Sequence, residues 1–88
     1  MTHCELWLEM KGKSFRVALL VPKEVEVAEG YLECEGYEHP SGKGMFVTEW
    51  FDGIHAARDK MDKTAQFYND NGVKFLFFRE IRQPLCRN

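Results

Sequence analysis

The residues of this 88-residue chain best suited to chemistry are three histidines and three cysteines: His3, His39, His55, Cys4, Cys34 and Cys86. Their side chains are the usual ligands of zinc. Tetrahedral zinc sites present their ligands in pairs a few residues apart, so that one short loop supplies two of them. Cys34 and His39 approach that spacing, but no second pair completes the set. His3 and Cys4 are adjacent and would point to opposite faces of a strand. The spacing predicts neither a metal site nor a cofactor.

Nucleophilic catalysis needs a thiol or hydroxyl with a base beside it. Cys34 is the best-placed thiol, since it precedes a Gly-rich stretch and His39. It occupies the inward phase of a short strand, however, and the neighbouring Glu35 discourages a thiolate. His55 lies one position past the apolar stripe of a helix, near Asp52 and Asp59, and reads as helix-surface polarity. Gly36 to Gly44 ends in Ser41-Gly42-Lys43-Gly44, close to a phosphate-binding loop. That loop requires Gly, four residues, then Gly-Lys-Ser/Thr. Here five residues separate Gly36 from Gly42, and Gly44 stands where the hydroxyl residue is needed. No catalytic residue emerges, and the chain is expected to be non-enzymatic.

Charge is more informative. The net charge of −2 hides an asymmetry: residues 1–57 carry five Lys/Arg against ten Asp/Glu, residues 58–88 seven against four. The acidic excess is concentrated in Glu24, Glu26, Glu29, Glu33, Glu35 and Glu38, with no basic residue among them. Such a run is either a solvated edge or a surface that meets basic groups on a partner. Glu26, Glu29, Glu33, Glu35 and Glu38, with Tyr37 and Lys43 of the adjoining loop, are therefore the candidate partner-binding residues. The rival surface is nucleic-acid binding by Arg58, Lys60, Lys63, Arg79 and Arg82, with the Phe-rich end offering stacking rings. Interleaved Asp59, Asp62, Asp70 and Glu80 count against it, as does the lack of any RNP, KH or zinc-finger pattern.

The elements that must position these residues follow from periodicity. Cys4, Leu6, Leu8 and Met10 alternate with Glu5, Trp7, Glu9 and Lys11, the period of a half-buried strand, and Phe15, Val17, Leu19 and Val21 recur at the same period. Gly12-Lys13 between them suits a type II′ two-residue turn. That turn predicts a hairpin pairing Met10 with Phe15, Glu9 with Arg16, Leu8 with Val17 and Leu6 with Leu19. Pro22 ends the second strand. Tyr31 to Glu35 reads as a short strand with Leu32 and Cys34 facing in, and Met45 to Thr48 as a strand returning against it. Trp50, Ile54, Ala57, Met61, Ala65 and Tyr68 form a helical stripe, which predicts a helix near residues 50–70 capped by Thr48 or Asp52 and ended by Asn71-Gly72. Val73 to Arg82 reads as a strand apolar on both sides, the pattern of a strand in the middle of a sheet.

The expected fold is thus one α+β domain over residues 1–88. It is a two-layer sandwich with a mostly antiparallel sheet of three to five strands, an N-terminal hairpin, one long helix and a C-terminal strand. Three widely spaced cysteines without a Cys-x-x-Cys pair read as free thiols of a reducing cytoplasm. No apolar run reaches the ~20 residues that span a membrane, so a cytoplasmic location is expected. The leading functional expectation is a small stand-alone regulator or inhibitor, of a kind encoded by phages or mobile elements. It would bind a larger protein through its acidic segment and an apolar sheet face. A nucleic-acid-binding domain and a small enzyme or ligand-binding protein with a pocket between sheet and helix are the alternatives, and a homodimer is compatible with all three.

Overall fold

The computed structural model describes residues 3–86. Five strands and one helix follow in the order β1 (Cys4–Lys11), β2 (Ser14–Val21), β3 (Leu32–Glu33), β4 (Gly44–Val47), α1 (Ile54–Asp70) and β5 (Phe75–Arg82). They form a small α+β fold with one mixed sheet in the order β3-β4-β2-β1-β5. Three of the neighbouring pairs are antiparallel, and β1–β5 is parallel.

β1 and β2 pair with Met10 opposite Phe15, Glu9 opposite Arg16 and Leu8 opposite Val17. Gly12 supplies the one positive φ of the turn, +62°, as a type II′ geometry requires at its first central residue. The alternation sends Cys4, Leu6, Leu8, Val17, Leu19 and Val21 to one face, where they pack with Ala57, Met61 and Tyr68 of α1.

The helix begins later than its apolar stripe suggests. Residues 48–51 run extended beside β2: Thr48 N–H donates to Val17 O, and Phe15 and Phe51 exchange both backbone hydrogen bonds. Trp50 therefore lies outside the helix, and Gly53 is the N-cap, without any side-chain cap from Thr48 or Asp52. Thr48 instead accepts from Val17 N–H. At the other end, Gly72 N–H donates to Asn69 O and Val73 N–H to Tyr68 O. This Schellman closure has Gly72, at φ +70°, in the left-handed position.

Three expectations are corrected here. β5 is an edge strand rather than a central one. Its two-sided apolar character is met partly by exposure, with Leu76 48% and Ile81 43% accessible. Leu32 does not face in: β3 is two residues long at the opposite edge, Leu32 is 71% exposed, and Tyr31 and Cys34 take the inward places. Finally, the cysteines are not all free. Cys34 and Cys86 form a disulfide across 52 residues, leaving Cys4 as the buried free thiol. The fold brings the C-terminal segment back over the sheet face opposite α1, where Cys86 meets Cys34.

That second face carries Ala18, Leu20, Met45 and Val47, with Trp7, Tyr37 and Cys86 packed against them. The β3–β4 loop and the C-terminal segment cover it. No helix among the described residues is long and apolar enough to cross a membrane.

Candidate partner-binding site

The acidic segment is held in place from below by one side of α1. Lys60, Thr64 and Tyr68 recur every four residues and so share a helix face. Lys60 Nζ donates to Glu29 O at 2.6 Å, and the Thr64 and Tyr31 hydroxyls lie 2.7 Å apart. Tyr68 OH accepts from Ala28 N–H at 3.0 Å and donates to Glu26 O at 2.8 Å. Burial pushes the Tyr68 phenol up to about 12, with its bond from Ala28 opposing, so it remains a donor. The backbone of 26–31 is thereby fixed, while Glu24, Glu26, Glu29, Glu33, Glu35 and Glu38 all remain exposed.

Above this base a groove of about 680 Å³ runs between the β2–β3 connection and the β3–β4 loop. Val25, Val27 and Phe46 give it an apolar floor, and Glu33, Tyr37, Glu38 and His39 line it from the β3 side. Gly44 is part of the floor for a steric reason: a Cβ there would meet the Phe46 ring at 2.9 Å. Of the sequence-derived candidates, Glu33, Tyr37, Glu38 and Lys43 come together here, whereas Glu26, Glu29 and Glu35 lie outside the groove. Lys23 and Lys43 also line it, so the groove is mixed in charge rather than purely acidic.

Lys43 is already engaged. Its Nζ lies 3.2 Å from Glu5 Oε2 and 3.2 Å from His3 Nε2, which ties the loop to β1. Burial pushes the Glu5 carboxyl up, but hydrogen bonds from Trp7 and Lys43 prevail and hold it below its ordinary value. His39 accepts at Nδ1 from Ser41 N–H, with Ser41 Oγ 2.7 Å from the same atom. Its pKa is lowered by burial and by the nearby Arg82 and Lys43 charges, against the pull of Glu5. This Ser–His contact spans two residues of an exposed loop and serves as turn closure.

The remaining reactive side chains are dispersed over the fold. Cys34 is disulfide-bonded, so the thiol chemistry weighed for it has no free sulfur. Burial pushes the Cys4 thiol up to about 11, partly offset by Lys43. Among the described residues no three His, Cys, Asp or Glu side chains are placed to share a metal ion. His55 is exposed on α1.

The basic candidates do not share one surface. Arg58 and Arg79 flank a cleft of about 330 Å³ between α1 and β5. Lys63 pairs with Asp59 at 3.1 Å, Lys60 turns to Glu29, and Arg82 crosses to the other sheet face beside Glu9 at 3.4 Å.

Sequence reasoning missed the network on that second face. Arg16 Nε bonds Glu9 Oε1 at 2.8 Å with both side chains fully buried. Arg16 also donates to Cys86 O and lies over the Trp50 ring. Trp7 is stacked on Phe78 with ring centroids 3.9 Å apart, and the Arg82 guanidinium lies 4.0 Å from the Trp7 centroid. Burial lowers the pKa of Arg82, against the pull of Glu9. The only sequence signal was the Glu9–Arg16 register, which alone does not say that the pair is covered. Compared against protein families, curated proteins and solved structures, the chain finds no significant match in any of the three.

Proposed function

We propose that this chain is a non-enzymatic protein-interaction module, a small regulator or inhibitor that takes a segment of a larger protein into the groove beside its acidic run. One observation carries the reading. Glu33, Tyr37 and Glu38 line the same groove as the apolar floor of Val25, Val27 and Phe46. An apolar slot with carboxylates along its β3 side suits a segment that sets a basic side chain toward β3 and an apolar one on the floor. Glu35, outside the groove, is exposed on the β3–β4 loop and adds negative charge nearby. The pinned backbone of 26–31 limits the ordering lost on binding. Binding at this surface would inhibit by occlusion, and an origin in a phage or mobile element fits that role.

The Cys34–Cys86 bond belongs to conditions in which disulfides persist. A cytoplasmic location therefore requires the bond to be open in the resting cell. Rapid alkylation of thiols in intact cells would distinguish the two states.

The functional test is differential capture from source-cell lysate at low and high salt. The immobilised wild-type chain is compared with a Glu33→Lys/Glu35→Lys/Glu38→Lys variant. A nuclease-resistant protein held by the wild type, released by salt and lost by the variant supports the reading. The same proteins held equally by both chains, or none held by either, would overturn it.

A further inference from the structure

We propose that two copies of this chain associate through their β5 strands, antiparallel and centred on Phe77, so that the sheet continues across the dimer. β5 is an eight-residue edge strand, whereas the opposite edge, β3, is only two residues long. A long edge with apolar side chains on both faces is a template for another strand. Leu76, Phe77 and Ile81 are 48%, 36% and 43% exposed.

The backbone narrows the register. Cys4 N–H donates to Lys74 O at 2.9 Å in the parallel β1–β5 ladder. Peptide groups alternate along a strand, so Lys74 and Leu76 turn theirs to β1, while Phe75 and Phe77 turn theirs to the open edge. In an antiparallel pair facing residues lie on the same side of the sheet. A two-fold axis normal to the sheet must therefore pass through a residue and its own copy. Centring on Phe77 makes its outward N–H and C=O a reciprocal hydrogen-bonded pair.

The side chains agree with this register. It sets Phe77 against Phe77, Leu76 against Phe78, Phe75 against Arg79, and Lys74 against Glu80 on both sides of the axis. Centring on Phe75 would set Lys74 against Leu76, and centring on Arg79 would bring two guanidinium groups face to face; through the non-hydrogen-bonded pairs, centring on Leu76 would set Lys74 against Phe78, and centring on Phe78 would set Lys74 against Arg82. Charge complementarity thus favours a second copy over an unrelated strand. Between Phe77 and Ile81, β5 carries three residues opposite the single Trp7, so the strand arches out of the ladder there. The groove lies toward the β3–β4 edge, at the other end of the strand order, and pairing through β5 leaves it open in both copies. The inference does not depend on the groove reading.

The test is sedimentation equilibrium of the purified full chain over a concentration series. The wild type is expected to approach twice the monomer mass. Lys74→Glu should weaken self-association roughly tenfold, because both symmetric pairs change from attraction to repulsion. The double variant Lys74→Glu/Glu80→Lys should restore it. A chain that stays monomeric at millimolar loading, or a dimer indifferent to Lys74→Glu, would overturn the proposal, as would a failure of the double variant to recover. Lys74 and Glu80 are exposed, and unchanged far-UV circular dichroism would show that the variants fold.

Discussion

Arg16 Nε donates to Glu9 Oε1 at 2.8 Å in a cross-strand pair from which both side chains are wholly excluded from solvent. The C-terminal segment seals it: Arg16 also reaches Cys86 O at 3.1 Å, and Leu85 N–H points to Glu9 Oε2 at 3.4 Å. An ion pair this deep is stabilising only as a pair, since its mutual attraction offsets a large desolvation penalty. Glu9→Ala is therefore expected to destabilise the fold by about 3–5 kcal/mol, by leaving the buried Arg16 charge without its carboxylate. The double variant Glu9→Leu/Arg16→Met should recover part of that loss, because Arg82 and Leu85 N–H still lose Glu9 Oε2. Urea unfolding of the wild type and the two variants checks this recovery.

The Cys34–Cys86 bond closes a span of 52 residues. Constraining the unfolded chain over that length contributes roughly 4 kcal/mol in the chain-entropy description. Reduction should lower the urea midpoint of the wild type and leave a Cys34→Ser/Cys86→Ser variant unmoved. Equal midpoints with and without reductant in the wild type would show that the bond does not stabilise the fold.

Tyr68 is the second post under the acidic segment. Tyr68→Phe removes the hydroxyl that joins Ala28 N–H to Glu26 O while keeping the ring in the core. Two backbone groups then lose their partner, a loss of about 1–3 kcal/mol. Amide exchange should quicken at Ala28 more than at Leu6 or Leu19, which belong to the central strands.

Alkaline stability should follow Cys4. Its thiol ionises near 9 in its ordinary state and at about 11 in the fold, where the side chain is fully buried. Above pH 9 the unfolded chain gives up a proton that the folded chain keeps, so stability falls as pH rises through that window. The loss is about 2 kcal/mol by the time the folded thiol also ionises. Tyr68, raised from 10 to about 12, extends the decline to higher pH. Cys4→Ala should remove the first limb of the decline and keep the second, as read from urea unfolding at stepped pH.

The parts of this fold that were legible in the sequence are those set by local geometry. Gly12-Lys13 specified a turn, the turn specified a register, and the pairs from Leu6–Leu19 to Met10–Phe15 all form. The start of α1 was less legible, because Trp50 continues the helical stripe in sequence while the backbone of 48–51 is drawn along β2 by Thr48 and Phe51. β5 was misplaced for a different reason. Apolar side chains on both faces ordinarily signal a central strand, and nothing local distinguishes that from an exposed edge. The disulfide was invisible because its partners are far apart in the chain and only the return of the C-terminal segment brings them together. Of the candidate site, the clustering of Tyr37, Glu38 and Lys43 was readable from their shared loop, with Glu33 at the end of the strand that leads into it. The roles of Lys60, Thr64 and Tyr68 beneath the acidic segment depend on long-range packing. A tyrosine on an apolar helical stripe was the one hint, since its hydroxyl needs a partner when buried.

The most direct test of the groove reading is amide hydrogen exchange of the chain alone and saturated with the partner recovered by salt-sensitive capture. Protection is expected to concentrate in residues 23–27 and 33–46, which frame the groove, with little change along the exposed face of α1. Protection confined to α1 and the Arg58–Arg79 cleft, with the groove segments exchanging as before, would contradict it.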